Sequence, residues 1–321
     1  MSKENMNRPT PPTRVGLGRP AKQTVCFFLV LAAAACPATR AQTARPKIVG
    51  ISSVRITVSD DCKAVSFYSA VLGEASPDGK NCAPSGPPGR LFFLGSGQEL
   101  ALRSAEKPDP HQLVNQFGLV TADASALLLY LKSQGVRADF AGGAGGAITV
   151  QDPEGHVIEF VDEKRMRKGD HSSPSAGGPE RIIHVGFIVS NQEKMEQFYQ
   201  GILGFRPYWH GGMKDDKTDW LSLQVPDGTD WVEFMLHISP DADRHLLGVM
   251  NHIALGVKDI HQAREQLVKQ GVHLTEEPKI GRDGKWQLNL YDPDQTRVEL
   301  MEFTPVEKPC CSEYTGPHPK P

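Results

Sequence analysis

The chain has 321 residues, with 35 basic against 38 acidic side chains and 23% of its positions charged. That length and balance fit an ordinary soluble protein with two sizeable cores. They exclude a polycationic nucleic-acid binder, and no basic stretch with interleaved aromatics occurs.

Residues 1–41 stand apart. Arg14, Arg19 and Lys22 precede an apolar run from Val25 to Cys36, and Thr39-Arg40-Ala41 ends the segment in a small-x-Ala site. The run is too short to cross a bilayer as a helix, so no membrane span is expected. The order basic, apolar, small reads as a signal peptide, and the mature protein is expected to be exported to a periplasm or secreted. Lipoprotein anchoring at Cys36 is the less favoured reading, because Ala33 stands where a Leu is expected. Cleavage near Ala41 leaves 29 basic and 37 acidic residues, a surface that does not invite nucleic acid. An exported compartment permits a Cys62–Cys82 disulfide, although connectivity is not legible in sequence.

From residue 48 onward one grammar recurs four times: a strand, a helix, a Gly, then several strands. Helix starts are marked by Ser59/Asp60, Asp123, Ser190 (with Glu193 completing a capping box) and Asp259. Gly73, Gly135, Gly204 and Gly271 suit left-handed helix ends. This predicts α+β architecture made of four βαβββ modules, near 48–104, 113–163, 181–239 and 248–304. The two halves repeat each other. Ser66-Phe-Tyr-Ser-Ala-Val-Leu-Gly73 matches Gln197-Phe-Tyr-Gln-Gly-Ile-Leu-Gly204, and Asp152-Pro-Glu-Gly-His-Val-Ile-Glu-Phe160 matches Asp292-Pro-Asp-Gln-Thr-Arg-Val-Glu-Leu300. An N-terminal domain is expected over 48–163 and a C-terminal domain over 181–304. Residues 164–180, charged and then Ser/Gly/Pro-rich, read as a linker. Residues 305–321, with five prolines, read as an extended tail in which Cys310 and Cys311 form a disulfide or stay as unused thiols, soft-metal binding together with His318 being the less favoured reading.

The C-terminal half carries the chemistry. Ile182-Ile-His-Val-Gly-Phe-Ile-Val189 and Met250-Asn-His-Ile-Ala-Leu-Gly-Val257 each hold a His. Each is followed, 49 and 47 residues on, by a carboxylate between apolar residues: Glu233 after His184, and Glu299 after His252. Alternate residues of a strand share a face. His184 therefore sits with Gly186 and Ile188, and His252 with Ala254 and Gly256, beside small neighbours that leave room for an ion. The opposite faces, Ile183/Val185/Phe187/Val189 and Ile253/Leu255/Val257, should pack on helices. A buried carboxylate without a partner is costly, and two in matched positions imply a cation. His184, Glu233, His252 and Glu299 are thus expected to hold one divalent metal ion: Ni, Co, Zn, Mn or Fe. Glu233 and Glu299 are equivalent by symmetry, and either is a candidate proton shuttle. Trp231, Met235, His237 and Asn289 are expected to line the substrate cavity by strand phase. Tyr208 to Asp216, containing Trp209, reads as a lid. His210 and His245 read as surface residues.

Paired βαβββ modules with Phe-Tyr-x-x-x-Leu-Gly after the first helix and Asp-Pro-(Asp/Glu)-x-x-x-(Ile/Val)-Glu near the end resemble the vicinal oxygen chelate (VOC) superfamily over residues 48–304. That group includes glyoxalase I, extradiol catechol dioxygenases, fosfomycin-resistance proteins and bleomycin-binding proteins. The resemblance implies two VOC domains, with His184, Glu233, His252 and Glu299 at the metal positions of the glyoxalase I pattern. In the N-terminal half the His positions hold Ser53 and Gln116, with Glu99 and Glu159 at the carboxylate positions, so that domain is expected to be degenerate and metal-free. The dioxygenase pattern needs only His184, His252 and Glu299, and places a Tyr near Asn289. The glutathione-holding residues of glyoxalase I are unmatched, with Ile188 and His237 in their places. The resemblance therefore implies a glyoxalase-like isomerase or lyase acting on another small substrate with vicinal oxygens. An extradiol dioxygenase and a non-catalytic small-molecule-binding protein are its alternatives.

Overall fold

The computed structural model describes residues 44–73, 90–95, 97–141, 146–166 and 177–321. The signal-peptide segment, Cys36, Cys82 and much of the linker lie outside the described residues. No helix among the described residues is long and apolar enough to cross a membrane.

In the N-terminal half, β1 (Ile48–Val58) leads into α1 (Asp61–Leu72), followed by β2 (Leu91–Phe93) and β3 (Glu99–Ser104). Then come β4 (Gln116–Thr121), α2 (Ala124–Ser133), β5 (Asp139–Phe140), β6 (Ile148–Gln151) and β7 (Val157–Asp162). The C-terminal half repeats the plan. β8 (Arg181–Ile188) precedes α3 (Gln192–Glu196), which widens into a π-turn over Gln197–Ile202, then β9 (Arg206–Gly211), β10 (Trp220–Gln224) and β11 (Trp231–Met235). A short helix that the sequence grammar did not anticipate, α4 (Arg244–Met250), comes before β12 (His252–Val257), α5 (Ile260–Lys269), β13 (Lys279–Ile280), β14 (Trp286–Tyr291) and β15 (Arg297–Glu302).

The strands form two mixed sheets, each curled like a half-barrel. One runs β2-β3-β1-β4-β7-β6-β5 and the other β13-β14-β15-β12-β8-β11-β10-β9. In both, the first strands of two modules pair antiparallel at the centre, and each pairs in parallel with the last strand of its own module. That places β15, β12, β8 and β11, the strands bearing the four candidate ligands, side by side.

The local signals act as their chemistry requires. Asp60, Asp123 and Asp259 accept from backbone N–H groups of the first turns of α1, α2 and α5. Gly73, Gly135, Gly204 and Gly271 all take positive φ. One cap differs from expectation. Asn191, not Ser190, caps α3, accepting from the Lys194 N–H, and the backbone N–H groups of both Ser190 and Asn191 are held by the Glu154 carboxylate of the other half.

The repeated motifs clamp the halves together crosswise. The Tyr68 hydroxyl, on α1, donates to Asp292 at 3.0 Å, and the Tyr199 hydroxyl, beyond α3, donates to Asp152 at 3.1 Å. Each Phe-Tyr motif thus bonds to the Asp-Pro turn of the opposite half, and burial beside a carboxylate pushes both phenols up. The core beneath the helices spans both sheets and includes Val185, Phe187 and Val189 as expected. Ile183 is an exception: a bulge between Ala254 and Leu255 lets it join Trp209, Trp231, Met301 and Phe303 on the other face.

Residues 305–321 correct the expectation of a loose tail. They have no helix or strand but pack firmly. Cys310 N–H donates to the Arg282 carbonyl, Thr315 N–H donates to the Tyr208 carbonyl, and Tyr208 and His318 share a 2.7 Å bond. Cys310 and Cys311 are joined as a disulfide. Cys62 is also disulfide-bonded, while Cys82, the partner suggested by sequence, lies outside the described residues.

Candidate metal centre

The register of the four central strands brings the expected ligands to one point. Gly186 is paired with His252 on one side and Glu233 on the other, and His184 stands opposite Ala254 and Trp231. The absence of a side chain at Gly186 makes the room: a Cβ there would lie 1.8 Å from His252 Cε1. The two Nε2 atoms are 3.0 Å apart, His184 Nε2 lies 3.5 Å from Glu299, and His252 Nε2 lies 3.3 Å from Glu233. Neighbouring ligands held about 2.1 Å from one ion at right angles stand about 3.0 Å apart, so these separations fit the edges of a single coordination sphere. His184, His252 and Glu299 are all buried, and their ligand atoms all lie within 4.8 Å of one another.

The electrostatics fit the same use. Burial pushes both imidazoles well below their usual range, with the nearby Arg297 guanidinium adding to this at His252. Both are therefore neutral at pH 7, as metal ligation needs. Burial lifts Glu299 to about 7 against the pull of Arg297, with Glu233 raising it further. A carboxylate so placed gains from an adjacent cation.

The symmetry between the two carboxylates is broken. Both line the cavity, but Glu299 belongs to the tight three-residue group and is the more buried, whereas Glu233 is more exposed and one of its oxygens accepts from Ser222 at 3.0 Å.

The cavity over the cluster holds about 400 Å³, ample for a small ligand. Trp231, Met235, Asn289 and Trp209 line it as expected. His237 does not. Its backbone turns to φ 62°, and its ring faces solvent against Asp219. The expected lid is half strand, since Tyr208 and Trp209 are buried in β9; only the following loop, with Met213, is open to solvent. His245 is exposed, on α4.

Sequence reasoning passed over Tyr314 on the cavity wall and Lys285 packed against Trp231. Tyr314, from the C-terminal segment, lines the cavity and donates to the Asp283 carbonyl at 2.9 Å. Lys285 is wholly buried, its ammonium 4.6 Å from the Trp231 ring centre and 5.3 Å from that of Tyr314. Burial brings Lys285 down to about 8 despite the nearby Asp283 and Glu299 carboxylates. Trp231 also lies against the His184 ring, with centroids 4.6 Å apart, so it joins lysine to ligand. Nothing local marks Lys285 in sequence, where it follows a turn and reads as a surface residue.

In the N-terminal half, Arg55 donates to Gln116 at 2.5 Å, and among the described residues there no three His, Cys, Asp or Glu side chains converge.

Two half-barrel sheets built of paired modules, one with a buried two-His, one-Glu group and Glu233 beside it, define the class. The model of the Glyoxalase/Bleomycin resistance protein/Dioxygenase superfamily matches residues 50–160 and 181–300, and the chain belongs to that superfamily. A lactoylglutathione lyase of Neisseria meningitidis is 27% identical over 124 residues, spanning 38% of this chain and 90% of that protein. The Haemophilus influenzae lactoylglutathione lyase is 27% identical over 124 residues, 38% of this chain and 92% of its own. Homoprotocatechuate 2,3-dioxygenase from Arthrobacter globiformis superposes with a TM-score of 0.58 at 21% identity, covering 81% of each chain. A 2,3-dioxygenase from Pseudomonas sp. KL28 gives 0.57 at 16% identity, over 87% of this chain and 96% of that one. At these identities the structural likeness speaks to fold.

Proposed function

We propose that the chain is a divalent-metal-dependent enzyme, a glyoxalase-like isomerase or lyase acting on a small substrate with vicinal oxygens. The observation that carries this reading is the buried His184/His252/Glu299 group with Glu233 beside it at the cavity floor. The ion would serve as a Lewis acid toward two substrate oxygens. Glu233, steadied by Ser222, would take and return a proton. Trp209, Trp231 and Tyr314 would keep water from the reacting face.

A second reading, an extradiol dioxygenase, draws support from one feature: the tight group is two His and one Glu, with Glu233 outside it. Glu233→Gln separates the two. The side chains are nearly isosteric, and loss of a general base costs about 10²–10⁴-fold. Loss of an oxygen-independent reaction, with metal still bound, supports the isomerase or lyase. Iron-dependent oxygen uptake with a catechol that persists in Glu233→Gln supports the dioxygenase and refutes the first reading.

We also propose export. The basic, apolar and small order of residues 1–41 supports it. Mass spectrometry of the periplasmic or secreted fraction should find a chain beginning near Gln42, and an intact cytosolic Met1 form as the sole species would overturn the assignment.

A further inference from the structure

Most charged groups in and beside the cavity have hydrogen-bond or ion-pair partners; the exceptions are Arg297 and Lys285, whose buried ammonium makes no hydrogen bond and sits against the Trp231 and Tyr314 rings. Lys279 is paired with Glu276 at 2.6 Å, and Arg282 is paired with Asp215. Asp283 accepts from the Lys285 backbone N–H, the Gln287 amide and the Tyr314 hydroxyl. Glu233 and Glu299 face the imidazoles. Arg297 lines the same cavity from β15, and among the described residues its guanidinium has neither an ion pair nor a hydrogen-bond partner; its Nε is buried. Trp231 Nε1, another buried donor on the wall, is likewise unpaired.

Leaving a buried donor unmade is costly, and the cost is greater for a guanidinium. Its charge is felt at Glu299, but neither Glu233 nor Glu299 comes within ion-pair distance of it. If the two glutamates balance a divalent ion and Asp283 balances Lys285, Arg297 remains as positive charge on the wall, beside aromatic side chains. A fixed fork of N–H donors at such a place suits a planar anion.

Given the reading of this cavity as the substrate site, we propose that Arg297 is a specificity-determining residue, and that the substrate carries an anionic group, a carboxylate in kind, besides its two metal-directed oxygens.

The test uses a near-isosteric pair of probes, 3,4-dihydroxybenzoate and 3,4-dihydroxybenzamide. Zinc-loaded protein is titrated with each, under argon, following the fluorescence of Trp209, Trp220 and Trp231. The wild type should bind the acid about ten- to a hundredfold more tightly than the amide. Arg297→Met should bring the two within about twofold, and Arg297→Lys should restore part of the preference. Equal binding of acid and amide by the wild type overturns the proposal, whatever the variants do, as does a preference that survives in Arg297→Met. Repeating the wild-type titrations after chelator treatment separates the two readings. Binding that is unchanged without metal counts against the metal site, while the acid-to-amide ratio still decides the role of Arg297.

Discussion

Gly186→Ala is the sharpest probe of the cluster, because it adds one methyl group without touching a candidate ligand. The new Cβ would stand 1.8 Å from His252 Cε1 and 2.4 Å from both ring nitrogens. An ordinary carbon contact is about 3.5 Å, so the imidazole must retreat by about 1.7 Å. It has nowhere to go: the ring is wholly buried, edge-on to His184 at 5.0 Å, with Nδ1 3.3 Å from the Met250 carbonyl. Ligand distances tolerate only about 0.2 Å. Overpacking should cost about 1–3 kcal/mol of stability, and metal affinity should fall about a hundredfold or more. The assay is competition against a chromophoric chelator, with urea unfolding in parallel. Gly201→Ala, where nothing lies within 4 Å of the new Cβ, is the benign control. A Gly186→Ala protein that folds and binds metal with wild-type affinity would refute the shared-sphere geometry.

Elemental analysis should find one divalent ion per chain, lost on changing both His184 and His252 to Ala but kept in Gln116→Ala; metal retained in the double His variant would sink the centre. The pH dependence of the metal-free protein offers a separate check. Glu299, raised from 4.5 to about 7 in the fold, holds its proton more tightly folded than unfolded. The stability it lends is therefore present below about pH 4.5 and lost as pH rises to about 7. Relative to Glu299→Gln, in which the other titrating groups largely cancel, wild-type stability should fall over that window by up to about 3 kcal/mol. A flat difference between the two melting curves would contradict the burial argument.

The strands that bear the candidate ligands were legible because a period of two fixes which face a residue takes, and because the pattern occurs twice. The helix caps at Asp60, Asp123 and Asp259 were legible for an equally local reason. What escaped depends on contacts far apart in the chain. The Phe-Tyr and Asp-Pro motifs can be read as repeats, but their joint task, Tyr68 to Asp292 and Tyr199 to Asp152, links opposite halves. Glu233 and Glu299 look alike in sequence. They differ in space because Ser222 bonds to one while the other joins the tight group of the two imidazoles. His237 has the right strand phase, but β11 ends at Met235 and the chain turns away before it. Ile183 defeats simple alternation because a bulge adds a residue at that point.

The packed C-terminal segment has a consequence for solubility. An open eight-stranded sheet ends in two rows of backbone groups that can recruit strands from other molecules. Here β9 forms one margin and β13 the other. Thr315 and Ser312 occupy the outer carbonyls and N–H of β9 at Tyr208 and His210, while Cys310 N–H reaches the Arg282 carbonyl just past β13. The segment that gives Tyr314 to the cavity wall therefore works as a selvedge along β9 and pins the turn that follows β13. A chain without that segment would present β9, with Tyr208 and Trp209 uncovered, as a sticky strand, and its first failure would be self-association rather than unfolding.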